Sequence, residues 1–149
     1  MSSSLFYDCY APYEESYSET IEVTGCKKFG DIKAGDILYM IVHDSNGYSF
    51  AELKVTNPWH TAKGKYYISC LKGKRKLYID FGKMNYPNVI YFSKNSSIVL
   101  YDGYIIGTSK EVLYNYKKEK LLEGLKRIKE QYNMINKNIE LLELLKNKL

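Results

Sequence analysis

From residue 109 to residue 149 the chain contains no proline and a single glycine, Gly124. That stretch constrains the fold more than any other, because proline and glycine are the residues a helix interior tolerates least. Thr108 is placed to cap a helix and Glu111, three residues on, to complete a capping box. If continuous, the 41 residues form a rod of ~60 Å at ~1.5 Å per residue. The alternative is a helical hairpin broken near residues 133–138, where Asn133, Asn136 and Asn138 lower helix propensity.

The apolar pattern says what such a helix is for. Leu121, Leu125, Ile128, Tyr132, Ile135, Ile139, Leu142 and Leu149 follow strict 4,3 spacing, interrupted once by Lys146. This is a heptad seam with Leu121, Ile128, Ile135, Leu142 and Leu149 at d, widened by Leu122 and Leu145. Isoleucine at d disfavours a simple two-stranded coil and leans toward three or four helices, or toward docking on a broader surface. The competing reading is a helix packed on its own domain. A seam left free would be an exposed apolar patch of the kind monomers avoid. Leu121, Leu125, Ile128, Tyr132, Ile135, Ile139 and Leu142 are therefore the expected protein-interface residues.

Upstream, the period changes from helix to strand. Residues 37–43 are almost continuously apolar, and Asp44-Ser45-Asn46-Gly47 follows as a hairpin signal. Residues 48–56 then put Ala51, Leu53 and Val55 on one side, with Glu52 and Lys54 on the other. Residues 65–71 alternate around Tyr66, Ile68 and Cys70, and in residues 76–81 Leu77, Ile79 and Phe81 face away from Lys76, Tyr78 and Asp80. Residues 20–24, 89–92 and 97–101 are further short runs, and Asp102-Gly103 is a second hairpin signal leading into residues 104–106. Short strands about ten residues apart, with turn residues between, predict a small antiparallel barrel or sandwich. The expected fold class is α+β, with an N-terminal arm over residues 1–19, a small β-barrel over 20–107 and the helix over 108–149.

Within the barrel region, Phe29-Gly30-Asp31-Ile32-Lys33-Ala34-Gly35-Asp36-Ile37-Leu38-Tyr39 resembles the opening of an SH3-like small β-barrel. There an Ile-x-x-Gly-Asp turn delivers the chain into the first long strand. Over residues 28–106 the chain is similar in style to barrels of bacteriophage and mobile-element proteins, with Thr108-Ser109-Lys110-Glu111 opening the C-terminal helix. The resemblance implies a binding scaffold without chemistry of its own, and it transfers no functional residue.

The arm combines Phe6, Tyr7, Tyr10, Tyr13 and Tyr17 with Asp8, Glu14, Glu15 and Glu19 around Pro12. Aromatics are poor formers of disorder, so Tyr7, Tyr10 and Tyr13 are expected to clasp either the chain's own barrel or a neighbouring chain. The net charge of +5 hides a polarity: residues 1–60 carry four Lys/Arg against nine Asp/Glu, residues 61–108 eight against two, and residues 109–149 ten against six. An acidic front and a basic remainder can attract each other or steer a polyanion. Lys72, Lys74, Arg75 and Lys76, with Gly73, form a basic turn that can grip phosphates, with Lys63, Lys65 and Lys83 near in sequence and Tyr66, Tyr67 and Tyr78 available to stack on bases. The same lysines can equally keep a sheet edge from pairing with another. Trp59-His60, after Asn57-Pro58, is placed in a loop, where the indole either anchors a partner or closes the end of the barrel core.

Chemistry has little to build on. Cys9, Cys26 and Cys70 are odd in number and widely spaced, and with His43 and His60 they lack the short spacing of a zinc site. There is no Gly-x-Ser-x-Gly, phosphate-binding glycine loop or His-Glu-x-x-His. Apolar residues at 45% and charged residues at 26% suit a folded chain, and no run approaches the ~18 apolar residues of a membrane span. The expectation is a non-enzymatic phage or mobile-element assembly or interaction protein, in the host cytoplasm or the virion. It would have no cofactor and no membrane, and would act through a protein partner, a homo-oligomer or both. The alternatives are a nucleic-acid-binding barrel using the basic turn, or an inhibitor of a host defence protein.

Overall fold

The computed structural model describes residues 19–85 and 87–149, apart from the side chains of Pro87 and Val89. The expected arm, with Tyr7, Tyr10 and Tyr13, lies outside the described residues apart from Glu19. The chain divides into two units, one ending at Leu113 and the other spanning Tyr114–Leu149.

The first unit holds seven antiparallel strands curled into a half-barrel. In chain order these are β1 (Glu19–Ile21), β2 (Ile37–Asp44), β3 (Gly47–Ala62), β4 (Lys65–Lys72), β5 (Arg75–Lys83), β6 (Ile98–Tyr101) and β7 (Tyr104–Gly107). They line up as β1-β6-β7-β2-β3-β4-β5. A short helix, α1 (Pro87–Lys94), joins β5 to β6, and α2 (Lys110–Lys146) follows β7.

The curl originates in β3, whose 16 residues serve two neighbours. Residues 47–54 pair with β2 and residues 54–62 with β4, and the register shifts between Val55 and Asn57 and again between Asn57 and His60. Extra residues on one strand bend it and raise its twist, and Pro58, which has no N–H to contribute, sits where the ladder is broken. Trp59-His60 therefore belongs to a bent strand rather than to the expected loop. A second bulge lies between β4 and β5, where Tyr66 pairs with Gly82 and Tyr67 with Asp80. Gly82 has φ +113°, a backbone conformation open to glycine, and its N–H donates to Asp80 Oδ1 at 2.8 Å.

Alternation along the strands fills the concave side. Leu38, Met40, Leu53, Val55, Ile68, Cys70, Ile79, Phe81, Val99 and Ile106 are buried together with Phe29 and Ile32. The Ile32-to-Asp36 turn is fastened at several points. Gly35 N–H donates to the Val55 carbonyl and Val55 N–H to that of Asp36, both at 2.8 Å. Asp36 Oδ2 accepts from Lys33 N–H at 2.8 Å and Lys27 Nζ at 2.9 Å. Trp59 closes this core: its ring lies 4.5 Å from that of Phe81 and its Nε1 donates to the Phe29 carbonyl at 2.7 Å.

Two expected elements change. Residues 89–92 are helical, not a strand, because Pro87 takes the first helical position, where its missing N–H costs nothing, and the following Val-Ile-Tyr-Phe run is carried along despite its β propensity. Residues 20–24 shorten to β1, which pairs with β6 through Glu19, Thr20 and Ile21.

The cap of α2 is Ser109, whose Oγ accepts from Val112 N–H at 3.1 Å. Thr108 spends its hydroxyl elsewhere, donating to the Lys27 carbonyl at 2.7 Å, a carbonyl that also accepts from Ser97 Oγ at 2.8 Å. Glu111 stands in the first turn, where a carboxylate suits the helix dipole. The helix runs unbroken through Asn133, Asn136 and Asn138 to Lys146. Three asparagines cost only some tenths of a kcal/mol each, too little to break a segment that lacks proline.

Candidate functional site

The second unit is helix throughout to Lys146, and its apolar residues are uncovered. Leu121, Leu125, Ile128, Tyr132, Ile135, Ile139 and Leu142 are exposed by 47–66%. Their spacing turns them onto one stripe, ~32 Å long from Leu121 to Leu142. Leu122 and Leu145, at the flanking e and g positions, are exposed as well and widen it, while the exposed Leu141 and Leu144 lie on other faces. The other faces carry Lys and Glu together with Met134, Leu141 and Leu144, and Lys120 Nζ lies 3.4 Å from Glu123 Oε1.

The first unit offers a different surface, on the side of β3, β4 and β5 away from the core. Lys72 pairs with Arg75 at the end of the β4–β5 hairpin, and Gly73, with φ +61°, turns the chain. Lys72, Lys74, Arg75 and Lys76 are all exposed. Further along the same hairpin the alternation sets Lys76, Tyr78 and Asp80 opposite Leu71, Ser69 and Tyr67. Tyr67 and Tyr78 thus share a face with Lys76, whereas Tyr66 packs against the core and is not free to stack on a base.

At the far end of this face His60, Ala62, Lys63, Tyr67, Tyr78, Asp80 and Tyr101 line a groove of about 430 Å³. Asp80 is nearly buried, and its Oδ2 accepts from Lys65 Nζ at 3.1 Å. Burial, reinforced by the neighbouring Asp80, pushes the Tyr101 hydroxyl above its ordinary value. His60 Nδ1 lies 2.8 Å from the Pro58 carbonyl, to which it can only donate, and Nε2 lies 3.3 Å from Ser69 Oγ. The Tyr67 ring lies 6.0 Å from that of His60 at 29°. This pairing of Ser69 with His60 could not be read from residues nine apart, because it depends on the broken β3–β4 register. The groove escaped for the same reason. Tyr78 and Asp80 were visible as one face, but Tyr101 reaches them only through the curl of the sheet.

Among the described residues no three His, Cys, Asp or Glu side chains group as a metal site, and no helix is long and apolar enough to cross a membrane. Comparison of the chain with family models, with curated proteins and with solved structures finds no match.

Proposed function

We propose that this chain is a non-enzymatic assembly or interaction protein whose half-barrel is the body and whose C-terminal helix is the element that joins it to other chains. The observation that carries this reading is the stripe from Leu121 to Leu142, uncovered along its length. Burying one Leu or Ile is worth ~1.5–3 kcal/mol. Half the stripe would therefore contribute on the order of the stability of a whole small domain, ~5–15 kcal/mol. The setting, a bacteriophage or mobile-element protein of the host cytoplasm or virion, or an inhibitor of a host defence protein, rests on the resemblance alone. Light scattering at low and high salt tests the reading. Apolar burial is not screened by salt, so a mass above that of one chain should persist at both. A single-chain mass at every concentration contradicts it.

A second reading, binding of single-stranded nucleic acid, is favoured by one arrangement. The exposed cations of residues 72–76 continue into a face where Tyr67 and Tyr78 stand on adjacent strands, a charged track beside stacking rings.

A further inference from the structure

We propose that the exposed stripe of α2 pairs with the same stripe of a second copy running antiparallel, in the register that sets Lys129 against Glu143 of the second copy. This rests on the reading of the helix as an assembly element and adds its orientation and register.

With Leu121, Ile128, Ile135 and Leu142 at d, positions a are Leu125, Tyr132, Ile139 and Lys146, positions e include Lys129, Asn136 and Glu143, and positions g include Gln131, Asn138 and Leu145. A parallel in-register pair faces a with a and d with d. Lys146 would then oppose its own copy, and Ile128 and Ile135 would occupy the d layers where β-branched residues disfavour two strands. An antiparallel pair faces a with d, and both conflicts disappear.

When Ile135 of one copy lies opposite Ile139 of the other, Tyr132 meets Leu142, and Leu149, past the end of α2 at Lys146, falls level with Leu125. Lys146 meets Ile128, along which its methylenes can lie while the ammonium reaches water. The flanks follow without further choice. Lys129 faces Glu143 of the second copy, and symmetry makes the ion pair twice. Asn136 and Asn138 fall at the two-fold axis, each opposite its own copy. A residue there must complement itself; a charge would oppose itself, whereas a carboxamide carries both donors and an acceptor. Sliding the pair one heptad toward the N-terminus sets Lys129 against Asn136 and Glu143 against Leu122, and both ion pairs are lost. Sliding it the other way removes Leu125 and Ile128 from the overlap. Charge and axis select this register over the slip toward the N-terminus, and overlap selects it over the slip the other way.

The test is a distance measured in the full chain. With Cys9 and Cys26 changed to Ser and Lys126→Cys carrying a spin label, the proposed pair separates the two labels by about 33 Å along the axis, since Lys126 lies opposite Lys148 of the second copy. A parallel pair brings them to roughly the interhelical distance of ~10 Å, and the slipped antiparallel pair to about 22 Å; either result, or a trimer or tetramer, overturns the proposal while leaving helix-mediated assembly in place. A chain that stays monomeric overturns both. Lys129→Glu should weaken self-association about tenfold through repulsion made twice, and combining it with Glu143→Lys should restore it. Failure to restore also overturns the register.

Discussion

Gly107 lies directly under Leu113: a Cβ added to it would sit 2.9 Å from Leu113 Cδ2 and 3.1 Å from Val112 Cγ1. Gly107 is held on both sides, paired with Tyr39 of β2 and Ile98 of β6, so the strand cannot move away. The first turn of α2 therefore seats on the end of β7 only because no side chain stands between them. Gly107→Ala should cost ~1–3 kcal/mol, the usual penalty for overfilling a packed site, read as a lowered denaturant midpoint. An unchanged midpoint would contradict the seating.

Trp59→Phe keeps an aromatic ring against Phe81 but removes one of the two donors to the Phe29 carbonyl, leaving the Ile32 N–H at 3.2 Å. Losing this hydrogen bond while the carbonyl keeps its backbone donor should cost ~0.5–1.5 kcal/mol. Chemical denaturation measures this, and a loss below ~0.5 kcal/mol would mean that water replaces the indole N–H.

The fold was legible where one physical rule governed a whole element. Alternation placed Leu53, Val55, Ile79 and Phe81 in the core, and the absence of proline announced α2. It failed where rules competed: β propensity in Val-Ile-Tyr-Phe against a proline at a helix start, and Thr108 against Ser109 for one cap, settled by the distant Lys27 carbonyl. The apolar stripe was readable because helical spacing is local. The groove around Tyr67, Asp80 and Tyr101 was not, because it joins strands whose pairing depends on two bulges.

Burial pushes the Cys70 thiol up from its ordinary value of 9.0 to about 12. Native Cys70 should resist thiol reagents at neutral pH while the half-buried Cys26 is labelled, as peptide mapping would show. The pH dependence follows in sign. Between pH 9 and 12 the unfolded thiol loses its proton and the native one keeps it, so stability present below pH 9 declines as pH rises through that window. Cys70→Ala should show a shallower alkaline decline than the wild type; equal slopes would contradict the assignment.

Replacing Lys72, Lys74, Arg75 and Lys76 with Ser removes four exposed cations from the β4–β5 hairpin. If the second reading holds, affinity for single-stranded DNA or RNA should fall, and the salt slope should become shallower by ~0.7 log units per lost phosphate contact. A wild type without salt-dependent binding removes that reading.

Covering of the α2 stripe by another chain, as proposed, is tested at the middle of the stripe. Ile135→Asp puts a carboxylate at its middle, where burial of an unpaired charge is prohibitive. Sedimentation equilibrium of wild type and variant, side by side, measures the claim directly. An oligomeric wild type and a monomeric variant whose half-barrel melts as before are the expected result. A wild type and variant of the same single-chain mass and the same melting would show that the stripe is borne in water, and the claim would be wrong.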